Sequence, residues 1–298
     1  MTSVLFDAPG PRARRNTAIG TVIALLVLAG VVALALVQLG ANGQLDGEKW
    51  GPMFNPGNRY FVATWGALAQ GLGLTVVAAA LTLVFSLAIG TALAVARLTS
   101  APWYRWLVVS LIELLRGLPV LITIYFAARV LPEIGISLPP LWYLVIGLTA
   151  YNCVIIAEII RAGVAALPRG QSEAAYAVGL TRFQVLRLIL LPQAFRIMLP
   201  ALISQLVVIV KDTSLGFVIF NFSEFVRTAR IVIQFFGGQE GINLPLQMFI
   251  AVALVFILIN YGLGKLAEYV ERRSSRRAAG RAPTAAAVAV EAGAGGGG

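Results

Sequence analysis

The sequence predicts an all-α polytopic membrane protein, because it is strongly apolar and its apolar residues lie in long runs between short polar segments. Of its 298 residues, 59% are hydrophobic and 12% are charged, whereas about a quarter of the residues in soluble domains are charged. The mean hydropathy of +0.86 agrees with this interpretation. A helix needs roughly 20 apolar residues to cross a bilayer. Six apolar runs predict six transmembrane helices.

Composition also excludes several kinds of site and partner. The sequence has no histidine and one cysteine, Cys153, which excludes a disulfide framework and a Cys/His metal cluster. Cys153 lies in an apolar run, where we expect a small buried hydrophobic side chain. The net charge of +10 does not indicate nucleic-acid binding, because the arginines cluster at the ends of apolar runs, where they anchor a membrane protein.

The chain begins with a polar segment, residues 1–17, which carries three arginines. The apolar run at 18–39 is about 22 residues long, longer than the roughly 7–15-residue apolar region of a signal peptide. We therefore predict a retained first transmembrane helix at 18–39. Residues 40–60 contain turn residues and charges without periodicity, which predicts an external loop.

The other five spans lie within residues 60–270 and are predicted at 65–96, 106–130, 141–160, 195–220 and 246–266. The first of these five would be about 48 Å long as one helix, so it must tilt, bend or begin at the interface. The apolar run from 195 to 210 is short and contains Pro200. It reaches the length of a span only by continuing through Lys211–Ser214, whose charges must then face protein or water.

Two segments outside the spans have compositions that predict their structure. Residues 222–236 carry Glu224, Arg227 and Arg230 among large apolar residues, which predicts an amphipathic external helix in the interface. Residues 271–298 are basic and then rich in alanine and glycine. We predict that they form a disordered tail.

The distribution of basic residues predicts the orientation. Sixteen of the 23 lysines and arginines fall on the side of the two termini, and six fall on the other side. Basic residues are enriched in cytoplasmic loops. Six spans with both termini in the cytoplasm satisfy this rule, and they place the polar segment after the fourth span in the cytoplasm.

That polar segment, Leu167–Pro192, predicts two short helices separated by a bend. Pro168 suits the first turn of a helix, and Gly179 suits a helix end because glycine adopts the left-handed conformation at little cost. Thr181 and Gln184 have the spacing of a capping box at the start of the second helix.

The first of these helices carries a pattern of small residues. Ala174, Ala175 and Val178 recur at helical spacing, which predicts an exposed apolar stripe that docks a partner. Glu-Ala-Ala at 173–175, then Gly179, then Ile-x-Leu-Pro at 189–192 resembles the EAA loop of the permease subunits of ATP-binding-cassette importers. The resemblance implies that loop 163–192 forms a cytoplasmic coupling helix that seats in a groove of an ATPase. The coupling residues it implies are Glu173, Ala174, Ala175, Gly179 and Pro192. The alternative is an ordinary cytoplasmic helical hairpin.

A second motif lies inside the third span, where Glu113 and Arg116 share a helix face and can neutralise each other. Gly117 and Pro119 would loosen the helix there and free carbonyl groups. Two interpretations stay open: a structural ion pair that locks helices together, or Arg116 on a translocation route near a passing carboxylate. ELLRGLP at 113–119 resembles the ELFRGTP segment of permeases for polar amino acids, with Leu118 in place of the usual threonine.

Two further motifs support the same family. AEIIRAGV at 157–164 is similar to AEIFRGGI, and its Glu158 and Arg161 suggest anchoring at the membrane interface. Lys211, Asp212, Thr213 and Ser214 match the KDTSL segment, where they either line a polar path or cap a helix break. The resemblance covers about residues 65–266 and implies a five-helix importer core at 60–270, with the first span as an addition.

The sequence lacks a Gly-x4-Gly-Lys-Ser/Thr phosphate loop, so we expect a transport subunit that is not itself an ATPase and binds no cofactor. The resemblance implies a multi-pass protein of the bacterial plasma membrane that works with an ATPase dimer, a second permease subunit and an extracellular or periplasmic solute-binding protein. ATP would bind to the partner. The substrate would be a polar amino acid. Arg116 and Lys211 favour a carboxylate, which every amino acid has, and glutamate is preferred because its extra side-chain charge needs a cationic partner. The alternatives are an ion-coupled secondary transporter, for which only Glu113 lies deep enough, and a channel-forming protein.

Overall fold

The structure is a computed structural model that describes residues 10–99, 102–220 and 222–279, and these residues form helices without strands. The α-helices are α1 (Pro11–Ala41), α2 (Gly47–Phe54), α3 (Phe61–Thr99), α4 (Pro102–Gly117), α5 (Val120–Glu133), α6 (Pro140–Ala165), α7 (Arg169–Ala177), α8 (Arg182–Gln184), α9 (Leu191–Asp212), α10 (Gly216–Phe220), α11 (Phe225–Phe235) and α12 (Pro245–Ala279). Two π-helical turns, Val185–Leu190 and Phe236–Glu240, and one 3₁₀ turn, Thr213–Leu215, continue helices along the chain. The prediction of an all-α protein is confirmed.

Five helical segments are long and apolar enough to cross a membrane, namely Pro11–Ala41, Phe61–Thr99, Pro140–Ala165, Arg182–Ile219 and Pro245–Arg273. A sixth span forms only if α4 and α5 are counted as one bent pair. Between Arg182 and Ile219 the chain is helical for 38 residues. The prediction that the fifth span continues through Lys211–Ser214 is therefore confirmed.

The third span is not the single helix predicted at 106–130. It breaks into α4 and α5, which meet at an angle of 100°. Pro119 lies at the break with a ψ of 136° and precedes the first residue of α5. Proline has no N–H to donate and disfavours a helical conformation in the residue before it. Gly117 and Pro119 were expected only to loosen the helix. The helix instead ends here, and the next one runs in a different direction.

Several boundaries differ from the predicted ones. Residues 47–54 of the predicted loop 40–60 form α2, in which the rings of Trp50 and Phe54 are 5.4 Å apart. Helix α1 begins at Pro11, within the segment predicted to be polar and separate. Helix α12 continues to Ala279, so the basic start of the predicted tail is helical. The remainder of that tail, 280–298, lies outside the described residues, as do residues 1–9.

The described chain divides into two compact units. The first comprises residues 10–64 and 233–248. Within it Arg59 pairs with Glu240 at 2.7 Å, and the Tyr60 hydroxyl donates a hydrogen bond to the same carboxylate. Tyr60 also packs edge-on against Phe236 at 5.2 Å. A single carboxylate therefore joins the segment before α3 to the π-helical turn after α11.

The second unit comprises residues 65–232 and 249–279 and is built around α6. One cluster of buried side chains joins α6 to α3 and α9, and it includes Ala94, Ile156, Ile160 and Met198. Another joins α6 to α5 through Leu144, Leu148 and Ile124. Because apolar association gains little in lipid, such helices rely on close van der Waals packing and on hydrogen bonds.

Glycine makes the closest of these approaches possible. At Gly147 of α6, an added Cβ would lie 2.8 Å from the amide nitrogen of Ile124 and still closer to its Cα. The neighbour is backbone and cannot rotate away. The α5–α6 contact therefore requires a residue without a side chain at this position.

We predict that Gly147→Ala lowers the free energy of unfolding by about 1–3 kcal/mol, because it overpacks a backbone contact. The measurement is thermal unfolding of the purified protein in detergent. Gly66→Ala is the matched control, since nothing lies within 4 Å of an added Cβ there. Alanine favours a helix over glycine by up to ~1 kcal/mol, so the control should be neutral or more stable. Equal stability of Gly147→Ala and wild type would contradict the proposed contact.

Candidate functional site

Helix α7 is the centre of the predicted coupling loop, and both of its ends are defined by local geometry. Pro168 precedes its first residue with a ψ of 130°. At its C-terminal end Gly179 has a φ of +82°. There the Leu180 N–H donates to the Ala175 carbonyl at 3.2 Å and the Gly179 N–H donates to the Tyr176 carbonyl at 3.0 Å. This pair of bonds is a Schellman motif, which requires a residue that tolerates a left-handed conformation. The predicted role of Gly179 as a helix end is confirmed.

The second helix of the loop starts as predicted and ends differently. The Thr181 N–H donates to Gln184 Oε1 at 2.8 Å and the Gln184 N–H donates to Thr181 Oγ1 at 3.4 Å, which completes a capping box. The helix then continues through the π-helical turn at Val185–Leu190 into α9. Pro192 lies in the first turn of α9, and it has no N–H for the usual helical bond. The second helix is thus the end of the fifth span and not a separate short element.

The small-residue stripe on α7 is only partly exposed. Ala174 is exposed and Val178 is 77% exposed, whereas Ala175 is buried at 3%. The prediction that Ala175 belongs to an exposed stripe is therefore wrong. A helix of nine residues resting on another element must bury one line of side chains, and Ala175 lies on that line. Glu173 and Tyr176 of α7 are also exposed, and Tyr176 was missed because it is not part of the Glu-Ala-Ala motif.

Side chains also tie α7 to the following span. Gln193 Nε2 of α9 donates to Gln171 Oε1 of α7 at 2.9 Å and to the Ile189 carbonyl at 2.9 Å. Val185 and Leu186 of the π-helical turn are buried close to α7. A displacement of α7 would therefore act directly on the end of the 38-residue helical segment.

An ionic cluster lies where α3 and α6 end. Glu158 Oε2 accepts from Arg161 Nε at 2.9 Å, as the i, i+3 spacing suggests, and Glu158 Oε1 accepts from Arg97 of α3. The side chains of Arg97 and Glu158 are 19% and 21% exposed. Glu158 thus joins two helices and does not act only as an interface anchor. The sequence could not reveal Arg97 as a partner, because 61 positions separate the two residues.

The expected ion pair between Glu113 and Arg116 does not form. Both side chains are exposed on α4, and neither makes an ion pair in the part of the chain that the structure describes. Arg116 lies in the last turn of α4, one turn before the break at Pro119. A cation is favourable at a helix C-terminus, where carbonyl groups point outward. The interpretation of this motif as a locking ion pair is therefore wrong.

The KDTSL segment lies inside a continuous helical segment. The Thr213 side chain is fully buried and its hydroxyl donates to the Val210 carbonyl at 2.7 Å. Lys211 is exposed, and Asp212 and Ser214 are half-buried. The segment does not cap a break, since only a 3₁₀ turn separates α9 from α10. Among the described residues no hydrogen bond or ion pair joins this segment to Arg116.

Sequence reasoning missed a polar contact in the middle of the second unit. Gln205 Nε2 of α9 donates to Asn152 Oδ1 of α6 at 2.7 Å, and Asn152 Nδ2 donates to the Leu148 carbonyl at 2.8 Å. Both side chains are buried. The contact could have been suspected from the sequence, because each of two apolar spans contains an amide side chain there. Such side chains often form hydrogen bonds between helices in membranes.

Glu224 is the buried carboxylate of the external segment. It accepts hydrogen bonds from the Val226 and Arg227 amides at 2.8 Å each, so it caps α11. Burial raises the pKa of the Glu224 carboxyl above its usual value, and the two amide donors offset part of that rise. The Phe225 N–H donates to Thr75 Oγ1 of α3 at 3.1 Å. The predicted amphipathic helix exists at Phe225–Phe235, but its acid is structural and does not face the interface.

Comparisons with known proteins agree with these features. Residues 86–276 match the family model described as binding-protein-dependent transport system inner membrane component. The chain is 40% identical over 240 residues to the glutamate transport system permease protein GluD of Corynebacterium glutamicum, covering 79% of this chain and 83% of that protein. It is 34% identical over 209 residues to the probable glutamine ABC transporter permease protein GlnP of Bacillus subtilis, covering 70% and 94%. A crystal structure of an amino acid ABC transporter with histidines aligns with a TM-score of 0.63 at 27% identity, covering 72% of this chain and 96% of that one.

We predict that Glu158→Gln lowers the free energy of unfolding by about 1–3 kcal/mol, because it removes the charged acceptor shared by Arg97 and Arg161. Chemical or thermal denaturation in detergent measures the change. Glu173→Gln is the control, since Glu173 is exposed and makes no ion pair in the described ranges. A substitution at an exposed residue such as Glu173 changes the free energy of unfolding by less than ~0.5 kcal/mol. The assignment fails if the two variants are equally stable.

Proposed function

The chain belongs to the family of inner membrane components of binding-protein-dependent transport systems, and we propose that it carries a polar amino acid, preferably glutamate, across the bacterial plasma membrane as an importer permease. The observation that carries this proposal is the geometry of α7: a short helix with an exposed surface, packed on the end of a helix long enough to span the membrane. Membership in this family argues against the ion-coupled secondary transporter and the channel considered above.

The proposed orientation places both termini and α7 in the cytoplasm. The support is the excess of basic residues at the corresponding ends of the spans. In this orientation α7 is accessible to a cytoplasmic ATPase dimer, which binds the ATP. The energy comes from that partner, because the sequence has no phosphate loop of its own.

The proposed coupling step is mechanical. An exposed surface at α7 and its C-terminal end seats in the ATPase. It includes Glu173, Ala174, Tyr176 and Val178. Ala175 packs inward, and Gly179 and Pro192 shape the connection to α9. When the ATPases close on ATP, α7 moves, and the Gln171–Gln193 bond and the buried π-helical turn transmit the movement. The helical segment Arg182–Ile219 carries it across the membrane.

Transport by alternating access requires a second permease subunit beside this one and an extracellular or periplasmic solute-binding protein that delivers the substrate. We place the substrate path along the face of α4 that bears Glu113 and Arg116, together with Lys211–Ser214 of the fifth span. Arg116 is the basic residue nearest in sequence to the break between α4 and α5, and it has no counter-ion in the described structure. A substrate carboxylate would supply one, and charge-assisted contacts of arginine with carboxylates are strong.

We predict that Ala174→Arg reduces amino acid uptake by about tenfold or more, because a long charged side chain blocks the seating of α7 against the ATPase. Uptake and ATP hydrolysis are measured with the complete transporter in proteoliposomes. Ala174→Ser is the control and should transport normally, because serine is small.

The same experiment distinguishes docking from folding. Ala175→Arg puts a charge at a buried position, so it should lower the amount of folded protein, whereas Ala174→Arg should not. If Ala174→Arg keeps wild-type uptake and coupled ATP hydrolysis, α7 does not dock through this surface.

We predict that Arg116→Gln raises the substrate concentration for half-maximal glutamate uptake by about 10- to 100-fold, since a hydrogen bond to a charged group contributes about 1.5–3 kcal/mol. Arg116→Lys should restore part of the affinity. The control is Arg129→Gln on α5, whose guanidinium lies 5.7 Å from the Tyr125 ring centre. It should change uptake less than about twofold. Unchanged glutamate uptake by Arg116→Gln would remove Arg116 from the substrate path.

A further inference from the structure

An apolar groove runs along the surface of the second unit between α3, α4 and α6. It has a volume of about 520 Å³. Its walls include Phe85, Ile89 and Leu93 of α3, Leu111 and Leu115 of α4, and Ala150 of α6. Phe85 and Leu111 are 39% and 45% exposed, so the groove opens to the surface at these two residues. The groove is apolar, as a site for an acyl chain requires.

The same three helices end in a basic cavity of about 280 Å³. Arg97 of α3, Arg105 of α4 and Arg161 of α6 line it, together with Arg182 of α8. Glu158 pairs with two of these arginines, Arg97 and Arg161. Arg105 and Arg182 make no ion pair in the described part of the chain. Four guanidinium groups against one carboxylate leave the cavity strongly positive.

The groove and the cavity, which we call the groove–arginine site, follow each other along the helices. Four residues separate Leu93 from Arg97 on α3, which corresponds to about 6 Å of helix. Six residues separate Leu111 from Arg105 on α4, or about 9 Å. A ligand with a charged head and an apolar tail could therefore occupy both parts at once.

We propose that the groove–arginine site binds an anionic phospholipid, with its phosphate among the arginines and an acyl chain in the groove. Basic pockets between transmembrane helices bind anionic lipid headgroups, and arginine pairs well with phosphate oxygens. Free phosphate would satisfy the arginines and leave the apolar groove open. A second copy of the chain would cover the groove and bring no phosphate. Only a lipid matches both parts.

The site also touches the region that moves in transport. A second cavity, of about 500 Å³, shares Arg182 with the basic cavity and extends to Ser172 and Tyr176 of α7. A lipid headgroup bound at Arg182 would therefore lie beside the coupling helix. The lipid is positioned to influence α7 and is not only part of the surrounding bilayer.

The test uses the full chain, purified with the subunits that accompany it and placed in phosphatidylcholine nanodiscs with or without phosphatidylglycerol. Native mass spectrometry counts the phosphatidylglycerol molecules retained per permease chain. Arg105→Gln combined with Arg182→Gln should lower retention by about 25-fold, because each arginine near a membrane surface contributes roughly fivefold. Arg187→Gln is the control; Arg187 is exposed and lies outside the cavity, so its retention should equal that of wild type.

A second pair of variants tests the groove. Ala150→Trp fills it and should release the lipid, whereas Ala80→Trp should not, because Ala80 is exposed on a different face of α3. The proposal is overturned if Ala150→Trp retains phosphatidylglycerol like wild type, since the arginines would then bind any phosphate. It is also overturned if millimolar inorganic phosphate displaces the lipid fully. Cross-linking of two Leu111→Cys chains to each other would overturn it in favour of a second permease copy.

Discussion

The fold depends on how closely one buried helix, α6, can approach its neighbours inside the membrane. Lipid surrounds the outer helices, so burial of apolar surface provides little net drive for their association. Close backbone contacts and hydrogen bonds between the helices must stabilise their association instead. Gly147 lets the backbone of α5 touch α6, and Asn152 bonds Gln205 of α9 at 2.7 Å. At the arginine-rich end Glu158 joins Arg97 of α3. These three contacts fix α3, α5 and α9 around a common centre.

In the proposed coupling step, these contacts would let the short helix α7 act on a span. Helix α7 has nine residues and a single buried alanine, so it is held weakly by its own packing. It packs on the N-terminal part of the helical segment Arg182–Ile219, which in turn contacts α6 through Met198 and Gln205. In the proposed coupling step, a force on α7 would therefore act on a long helix that is held to α6 by these two contacts. The π-helical turn at Val185–Leu190 lies within this segment, where it meets α7, and π-helical turns occur frequently at functional sites.

Sequence reasoning predicted the features that depend on local pattern, such as helix ends and span length. It failed for features that depend on contacts between residues far apart in the chain. Gly179, the capping box at Thr181 and the extension of the fifth span were found because turn chemistry and run length are local properties. The angle between α4 and α5 was underestimated. Proline restricts the backbone conformation of the preceding residue, but it does not determine the angle between the two helices. The burial of Ala175 could not be predicted, because helical spacing does not reveal which side of a nine-residue helix meets the π-helical turn. Arg97 and Asn152 were missed because their partners lie 61 and 53 positions away.

Glu113 and Arg116 support the proposal that this chain works beside a second permease subunit. Both lie in the segment predicted as the third span, both are exposed, and neither has a counter-ion among the described residues. A charged side chain facing hydrocarbon costs about 2.5–3.5 kcal/mol even on insertion scales, so two such residues would destabilise an isolated chain in lipid. The cost disappears if this face of α4 borders a water-filled path or another polar surface. The proposed second permease subunit would provide such a boundary, and a carboxylate passing along it would meet Arg116, which has no counter-ion among the described residues.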